Sequence, residues 1–273
     1  LSLHDALPIW CTLSSLSQCL RIKEAPLLKK LIRCTRYSLY YRFSPRLFKS
    51  ACHTVFISRH LADTIRRKIP VEPYSIIHNP VDELYISAPI NKGVTGKVLF
   101  AGNVKEYKGM DVLLKTMAAA INKNKHLTLT VAGDGDVEKY KSRARRLGIE
   151  KHVAFPGKVP VHKMINLYDE ADCVIAPSVW PEPFGRTIIE GMARKCIPIA
   201  SSHGGPAEII TDGRNGFLCR PNDHEHFAEK IVSIYQDALR RKQIRDAARA
   251  DSIAGFSPSH IANEYESLFL SCT

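Results

Sequence analysis

The segment Trp180–Cys196 reads WPEPFGRTIIEGMARKC, and the rest of the chain is organised around it. Two carboxylates, Glu182 and Glu190, stand on either side of a Phe-Gly pair in this segment. An apolar run from Ala171 to Ser178 precedes it, and a helix-compatible run from Arg186 to Lys195 follows the Phe-Gly pair. The pattern predicts a buried strand, then a loop, then the N-terminus of a helix.

The predicted helix start has the features of an anion site. Gly185 lets the backbone turn tightly and lets a ligand approach closely. The first amides of a helix have no intrahelical acceptor, and with the helix dipole they favour phosphate. The amides predicted to point at the ligand are those of Arg186, Thr187 and Ile188. Glu182 would lie in the loop, and Glu190 roughly 6 Å further along the helix axis. Either glutamate alone could be structural, because an acid complements the dipole, but the pair at this spacing favours one ligand held from both sides.

Strands and helices alternate along the second half of the chain, which indicates an α/β fold. Strands are predicted at Lys97–Ala101, Leu127–Ala132, Val153–Phe155, Cys173–Ala176, Ile197–Ala200 and Phe217–Leu218. Helices are predicted from Met110 to Ile121, at Val137–Leu147, Val161–Tyr168 and Ala207–Thr211, and from Asp223 through Ala238. Units of this length imply a doubly wound, Rossmann-like parallel sheet with helices on both faces. Ligands bind such sheets at the carboxyl ends of the strands, and the residues that fall there are Gly102, Gly133, Ser178 and Gly204.

The N-terminal part of the chain is basic. Residues 1–9, LSLHDALPI, are set aside because they resemble one reading frame of a common sequencing adapter. The segment Arg21–Pro70 carries 13 Lys and Arg residues against two acids, and the whole chain has a net charge of +12. A basic block of this kind can bind nucleic acid, bind an anionic membrane face, or be a solvated surface. All three interpretations stay open.

Further elements are predicted before the sheet. They are a basic helical segment at Ala25–Lys49 that Pro45 should break, a strand at His53–Ser58, a helix at Arg59–Lys68 and a strand at Tyr74–Ile77. Ser58 is expected to cap the second helix. His78 and Asn79 are expected in a loop or hinge, with a contact in the interdomain cleft as the alternative. Residues 88–96 are polar with Pro, Asn and Gly, which predicts a linker between a domain at 1–92 and a domain at 93–273.

The positions of the cysteines and histidines restrict the kinds of site that the sequence can support. The eight cysteines are scattered without a CxxC pair, and several lie in apolar runs, which predicts reduced thiols and a cytosolic compartment. No run of 18 apolar residues occurs, so no transmembrane helix is expected. The eleven histidines are dispersed, with His224 and His226 as a close pair, and the sequence indicates no metal cluster.

Two segments resemble one enzyme family. EPFGRTIIE, residues 182–190, is similar to the EPFG-x4-E pattern of retaining glycosyltransferases of family 4, which have the GT-B fold. GNVKEYKG, residues 102–109, is similar to the GR-x4-KG loop in which that family holds the donor diphosphate with an Arg and a Lys. Lys108 matches the Lys, but Asn103 stands in the place of the Arg and supplies no charge. Phosphate binding is therefore expected to be weaker, or Lys105 to stand in for the Arg.

The resemblance covers about residues 51–270 and implies roles for single residues. Glu182 would act as the catalytic carboxylate beside the transferred sugar, and Glu190 would hold the ribose hydroxyls, since a carboxylate can accept two hydrogen bonds from a vicinal diol. The donor-binding residues that it implies are Gly102, Asn103, Lys108, Phe184, Gly185, Arg186, Thr187, Ile188 and Glu190.

The reaction that it implies is transfer of a sugar, with retention, from a UDP- or GDP-sugar to a glycan or lipid-linked acceptor. No cofactor, metal or nucleic-acid partner is implied. The expected location is cytoplasmic, peripheral on the inner face of an anionic membrane, in polysaccharide or cell-envelope glycan synthesis.

In this class the sheet domain binds the donor, so residues 1–92 would be the remnant of a longer acceptor domain. The last helix, at about 257–271, starts with Ser257 and Pro258 and would cross back onto that first domain. Nucleotide-sugar binding with little or no transfer is therefore expected. Two alternatives remain: another GT-B enzyme, such as a nucleotide-sugar epimerase or a phosphorylase, and a non-enzymatic binder of membranes or nucleic acid through residues 21–70.

Overall fold

The structure is a computed structural model that describes residues 51–90, 92–93 and 95–271. The helix predicted at Ala25–Lys49 lies outside the described residues, as do residues 1–9 and the first part of the basic segment. The described chain divides into two compact units, residues 51–54 with 65–75 and residues 55–64 with 76–271. The domain boundary at residues 92 and 93 stays a prediction.

Three short elements open the described chain: β1 (Thr54–Phe56), α1 (Arg59–Arg66) and β2 (Tyr74–Ile76). The two strands pair in a two-stranded sheet. The cap predicted for α1 is confirmed, because the Oγ of Ser58 accepts a hydrogen bond from the amide of Leu61 at 3.0 Å. His78 and Asn79 lie in irregular backbone after β2, as predicted.

A six-stranded parallel sheet follows, with the strand order β5-β4-β3-β6-β7-β8. Its strands are β3 (Lys97–Ala101), β4 (Thr128–Ala132), β5 (Val153–Gly157), β6 (Cys173–Ala176), β7 (Ile197–Ser201) and β8 (Phe217–Cys219). The chain runs outward from β3 to β5, returns to β6 beside β3 and continues to β8. The loops after β3 and β6 therefore meet at the point where the strand order reverses, which is where such sheets bind ligands.

Helices connect the strands. They are α2 (Glu83–Ser87), α3 (Met110–Lys123), α4 (Val137–Arg146), α5 (Val161–Glu170), α6 (Arg186–Ala193), α7 (Pro206–Ile209), α8 (His224–Gln236), α9 (Ala238–Phe256) and α10 (Pro258–Ser271). Single 3-10 turns lie at Glu106–Lys108 and Glu150–His152. The predicted α/β fold with a parallel sheet is confirmed.

Two apolar cores cover the two faces of this sheet. Side chains alternate along a strand, so Val98 and Phe100 belong to the core that includes α3 and α8, whereas Leu99 belongs to the core that includes α5 and α6. β6 is buried along its whole length, as expected for a central strand with helices on both faces. The continuous apolar run that predicted this strand reflects burial on both sides.

One helix was predicted wrongly. The predicted apolar face from Asp223 through Ala238 assumes a single helix, but α8 ends at Gln236 and Ala238 begins α9. Asp237 divides them, because its side chain accepts a hydrogen bond from the amide of Arg240 at 2.9 Å and caps the new helix. Most of the 19 residues of α9 lie in a stretch without a predicted element.

The last helix begins as predicted, with Pro258 as its first residue and the Oγ of Ser257 accepting from the amide of His260 at 3.4 Å. Ile261 is buried, whereas Phe269 is 66% exposed. The crossing of this helix onto the first domain stays a prediction. Among the described residues, no helix combines the length and the apolar character needed to cross a membrane.

Candidate functional site

The N-terminus of α6 is uncapped. Gly185 stands at the cap position with a φ of 140°, and no side chain in the described part of the chain caps the helix. A side chain at this position would be strained whatever the space, so the sequence must place glycine here. As predicted, a short loop leads from β6 into a helix end with free donors.

One of the three predicted amides is already engaged. The amide of Ile188 donates to the carbonyl of Gly185 at 3.0 Å, and its side chain is fully buried in the core. The prediction of a free amide at Ile188 is therefore wrong, because the first turn of α6 closes tightly on the glycine. The amides of Arg186 and Thr187 have no acceptor among the described residues and remain available to a ligand.

Glu182, in the loop that leads into this helix, pairs with Lys108. The Nζ of Lys108 lies 3.0 Å from the Oε1 of Glu182, and their side chains are 25% and 15% exposed. The hydroxyl of Ser178 donates to the same carboxylate oxygen. The amide of Gly205, in the loop after β7, donates to the carbonyl of Glu182 at 2.7 Å and fixes its backbone. The two residues that the family pattern named as catalytic and diphosphate-binding thus form one ion pair.

The loop after β3 reaches this pair through a close backbone contact. Lys108 ends the 3-10 turn at Glu106–Lys108, and Gly109 follows with a φ of 75°. A Cβ on Gly109 would lie 1.9 Å from the carbonyl oxygen of Pro177, so only glycine lets the two loops touch. The amide of Val179 donates to the carbonyl of Tyr107 at 3.1 Å and holds the contact.

The remaining residues of this loop are less engaged. Gly102 donates its amide to the carbonyl of Ala132 at 2.9 Å, and Asn103 is exposed. Lys105, the predicted substitute for the family's Arg, pairs with Asp136 at 2.7 Å. That hydrogen bond raises the pKa of Lys105. The ammonium stays charged, but it is held at the loop after β4.

Glu190 lies one turn into α6 and has polar partners. Its Oε2 accepts a hydrogen bond from the hydroxyl of Tyr168 at 2.8 Å, and its Oε1 lies 3.8 Å from the guanidinium of Arg186. The side chain is 15% exposed, and burial raises the pKa of its carboxyl group. Glu190 is thus not enclosed in hydrocarbon, and one of its oxygens lacks a close donor among the described residues.

The N-terminus of α1 is tied to the same loops. The two carboxylate oxygens of Glu208, in α7, accept the amides of Arg59 at 2.8 Å and His60 at 2.6 Å. The hydroxyl of Ser58 donates to the carbonyl of Pro183 at 2.5 Å, beside Glu182. These contacts fix the loop that carries Glu182.

His78 supports the next residue of that loop. Its ring stacks on Phe184 with centroids 5.4 Å apart, and its Nδ1 lies 2.9 Å from the carbonyl oxygen of Ile57. Phe184 is buried, so its predicted donor contact can involve its backbone only.

Sequence reasoning missed four residues of this arrangement: Tyr168, Ser178 as a partner of Glu182, Glu208, and His78 as a packing residue. Tyr168 lies 22 residues from its partner Glu190, and Glu208 lies 149 residues from its partner Arg59. Of the four, Ser178 carried a signal, because it lies two residues after the predicted strand Cys173–Ala176. Among the described residues, no group of three or more His, Cys, Asp or Glu side chains is placed to hold a metal ion.

Comparison with known proteins gives a consistent result. The family model for glycosyl transferases group 1 matches residues 87–251. An uncharacterized glycosyltransferase of Methanocaldococcus jannaschii is 32% identical over 168 residues, which cover 61% of this chain and 43% of that protein. A D-inositol 3-phosphate glycosyltransferase of Corynebacterium aurimucosum is 28% identical over 182 residues, which cover 64% of this chain and 43% of that protein. This chain spans less than half the length of these two relatives.

Among solved structures, HepE of Anabaena in complex with UDP-glucose resembles this chain with a TM-score of 0.72 at 25% identity. The match covers 81% of this chain and 64% of that chain.

Proposed function

Because this chain belongs to the family of glycosyl transferases group 1, we propose that it carries the nucleotide-sugar site of a retaining glycosyltransferase of family 4. The observation that supports this proposal most is the pair of Lys108 and Glu182 at 3.0 Å, because Glu182 lies in the loop that leads to the uncapped N-terminus of α6. A cation, two free amides and two carboxylates around one helix end suit a ligand with both a diphosphate and hydroxyl groups.

The diphosphate binds at the amides of Arg186 and Thr187 and at the ammonium of Lys108. An ammonium has three donors, so Lys108 can keep its bond to Glu182 while it donates to a phosphate oxygen. When the bond between the anomeric carbon and the diphosphate breaks, negative charge develops on the leaving oxygen. The amides of Arg186 and Thr187 and the ammonium of Lys108 stabilise that charge as fixed donors, which need little reorganisation.

Glu182 binds hydroxyls of the transferred sugar and stabilises the positive charge that develops at its anomeric carbon. Its carboxylate is held by Ser178 and Lys108 on one oxygen, which leaves the other for the sugar. Glu190 accepts hydrogen bonds from the ribose hydroxyls.

The donor that we propose is a UDP- or GDP-sugar, and UDP-glucose is the first compound to test because the HepE structure contains it. The acceptor is a glycan or a lipid-linked sugar, at the cytoplasmic face of a membrane, in polysaccharide or cell-envelope glycan synthesis. The reaction needs no metal or cofactor.

Isothermal titration calorimetry with UDP, GDP and UMP tests the site. We expect UDP or GDP to bind more tightly than UMP, because the second phosphate reaches the amides of α6. Lys108→Met should weaken diphosphate binding by roughly tenfold and leave UMP nearly unchanged. Lys115→Met, which removes an exposed lysine of α3, is the matched control. Absence of binding by any nucleoside diphosphate would contradict the proposal, and so would equal binding by the wild-type and Lys108→Met chains.

A further inference from the structure

We propose that Tyr168 is a positioning residue for ribose recognition: it holds one oxygen of Glu190 and leaves the other to the sugar hydroxyls. The inference rests on the function proposed above. Its starting point is the 2.8 Å hydrogen bond from the Tyr168 hydroxyl to the Oε2 of Glu190.

The Tyr168 hydroxyl is fixed from several sides. Its side chain is fully buried, and the edge of the Tyr85 ring packs against it with centroids 5.7 Å apart. The backbone carbonyl of Tyr168 accepts from the thiol of Cys196 at 3.0 Å and from the ammonium of Lys92 at 2.5 Å.

The next residue along α5 is held just as firmly. Asp169 accepts two hydrogen bonds from Arg194, at 2.8 and 2.6 Å, and the Arg194 side chain is fully buried. The end of α5 therefore cannot shift without breaking this ion pair. Tyr168 therefore donates from a fixed position, so its hydroxyl can orient the Glu190 carboxylate rather than move with it.

The hydrogen bond from Tyr168 to Glu190 also affects the protonation of the Glu190 carboxylate. Burial raises the pKa of this carboxyl group, and the Asp82 carboxylate at the start of α2 raises it further. The hydrogen bond from Tyr168 and the guanidinium of Arg186 lower it. Tyr85, the other titratable side chain nearby, is buried, and its pKa is raised. Without the Tyr168 hydroxyl, the carboxylate would lose its closest donor and take up a proton at higher pH.

This arrangement recognises a vicinal diol in the ligand. A carboxylate with one oxygen held offers its free oxygen in a fixed direction to the 2′- and 3′-hydroxyls. The site should then distinguish ribose from 2′-deoxyribose, and the distinction should depend on Tyr168.

The experiment measures the affinities of UDP and 2′-deoxy-UDP by calorimetry over a pH series, for the wild-type chain and for Tyr168→Phe. We expect the wild type to prefer UDP by roughly tenfold, as for a hydrogen bond to a charged group. In Tyr168→Phe that preference should largely disappear, and the loss of UDP binding on acidification should begin at higher pH. Tyr235→Phe is the matched control, because it also removes a part-buried hydroxyl that donates to a carboxylate, that of Asp172 at 3.0 Å, away from the proposed site.

The outcomes separate the two proposals. If neither UDP nor GDP binds the wild-type chain, the proposed function fails and this inference fails with it. If the wild type binds UDP but Tyr168→Phe keeps both the ribose preference and the pH profile, only the inference is overturned. Equal wild-type affinity for UDP and 2′-deoxy-UDP also overturns it.

A second measurement needs no variant. In the wild-type chain, the ¹³C shift of the Tyr168 Cζ should follow the titration of the Glu190 carboxyl carbon with the same midpoint. Independent behaviour of the two signals would overturn the inference even if Tyr168→Phe did not fold.

Discussion

Replacing Asp172 with Asn should destabilise the folded chain by about 3–5 kcal/mol. The Asp172 side chain is fully buried, between the last residues of the linker and α9. Its carboxylate accepts four hydrogen bonds, from the guanidinium of Arg245 at 2.5 Å, the amides of Gly96 at 2.7 Å and Thr95 at 3.0 Å, and the hydroxyl of Tyr235 at 3.0 Å.

The magnitude follows from what Asn can still do at this position. Asn has the same shape as Asp, but it has one acceptor oxygen where the carboxylate has two. If that oxygen keeps the linker amides, the new NH₂ group faces the guanidinium of Arg245, which is then buried without a counter-charge. Breaking a buried ion pair from one side costs about 3–5 kcal/mol, chiefly because of the charge that is left.

Urea denaturation followed by far-UV circular dichroism measures this effect. With a slope of about 2 kcal/mol per molar urea, the unfolding midpoint of Asp172→Asn should fall by roughly 1.5–2.5 M. Asp246→Asn is the control, because Asp246 pairs with Lys195 and Lys242 on the surface and should change stability by at most about 1 kcal/mol.

A double-mutant cycle tests the reason for the loss. If the unpaired charge is its source, Arg245→Met in the Asp172→Asn background should restore part of the stability. A midpoint for Asp172→Asn close to that of the wild type would refute the reasoning. The reasoning would also be refuted if the loss of stability in the double variant equalled the sum of the losses in the two single variants.

Three further predictions concern single residues. Lys195 follows α6 with a φ of 58°, and it pairs with Asp246 at 2.8 Å. Lys195→Gly and Lys195→Ala both lose that pair. Because a positive φ is strained for alanine, the glycine variant should be more stable than the alanine variant by about 1 kcal/mol in thermal unfolding. Glu208→Ala should lower the free energy of unfolding by about 1–2 kcal/mol because two amides at the start of α1 lose their acceptors, whereas Glu225→Ala, which removes an exposed carboxylate from α8, should have little effect. Burial raises the pKa of Glu190 above its ordinary 4.5, so the folded chain binds this proton more tightly than the unfolded chain. The contribution of Glu190 to stability should therefore fall as pH rises from 4.5 through the folded value, and urea midpoints across that range should show a smaller slope for Glu190→Gln.

The sheet was predictable because each strand carries its own signal. β3 and β6 have the predicted bounds, Lys97–Ala101 and Cys173–Ala176, since a short apolar run that ends at Gly, or just before a Pro, has few alternatives. The helix α9 carries a weaker signal. Its sequence, ALRRKQIRDAARADSIAGF, is rich in arginine and alanine, and its buried residues include Arg245, whose burial depends on Asp172 in a distant part of the chain. Hydrophobic periodicity does not detect a helix that packs partly through an ion pair.

The site was predictable only as a set of residues. The family pattern names Glu182, Glu190 and Lys108, and the structure brings two of them into one ion pair. The partner of the third, Tyr168, lies on another helix and is recognisable only once α5 and α6 are packed together. The free amide expected at Ile188 was wrong because the number of free amides at a helix start depends on how tightly its first turn closes.

The contact between Gly109 and Pro177 explains why residue types alone could not supply this geometry. Lys108 reaches Glu182 because the loops after β3 and β6 touch backbone to backbone, and these strands are neighbours only because the chain returns to the middle of the sheet. The glycine that permits the contact is one of 15 in the chain, and its sequence neighbourhood does not reveal the carbonyl that it must accommodate. The sequence therefore identifies the residues that carry the chemistry of the site. The distance between them is set by the strand order and by the absence of a side chain at Gly109.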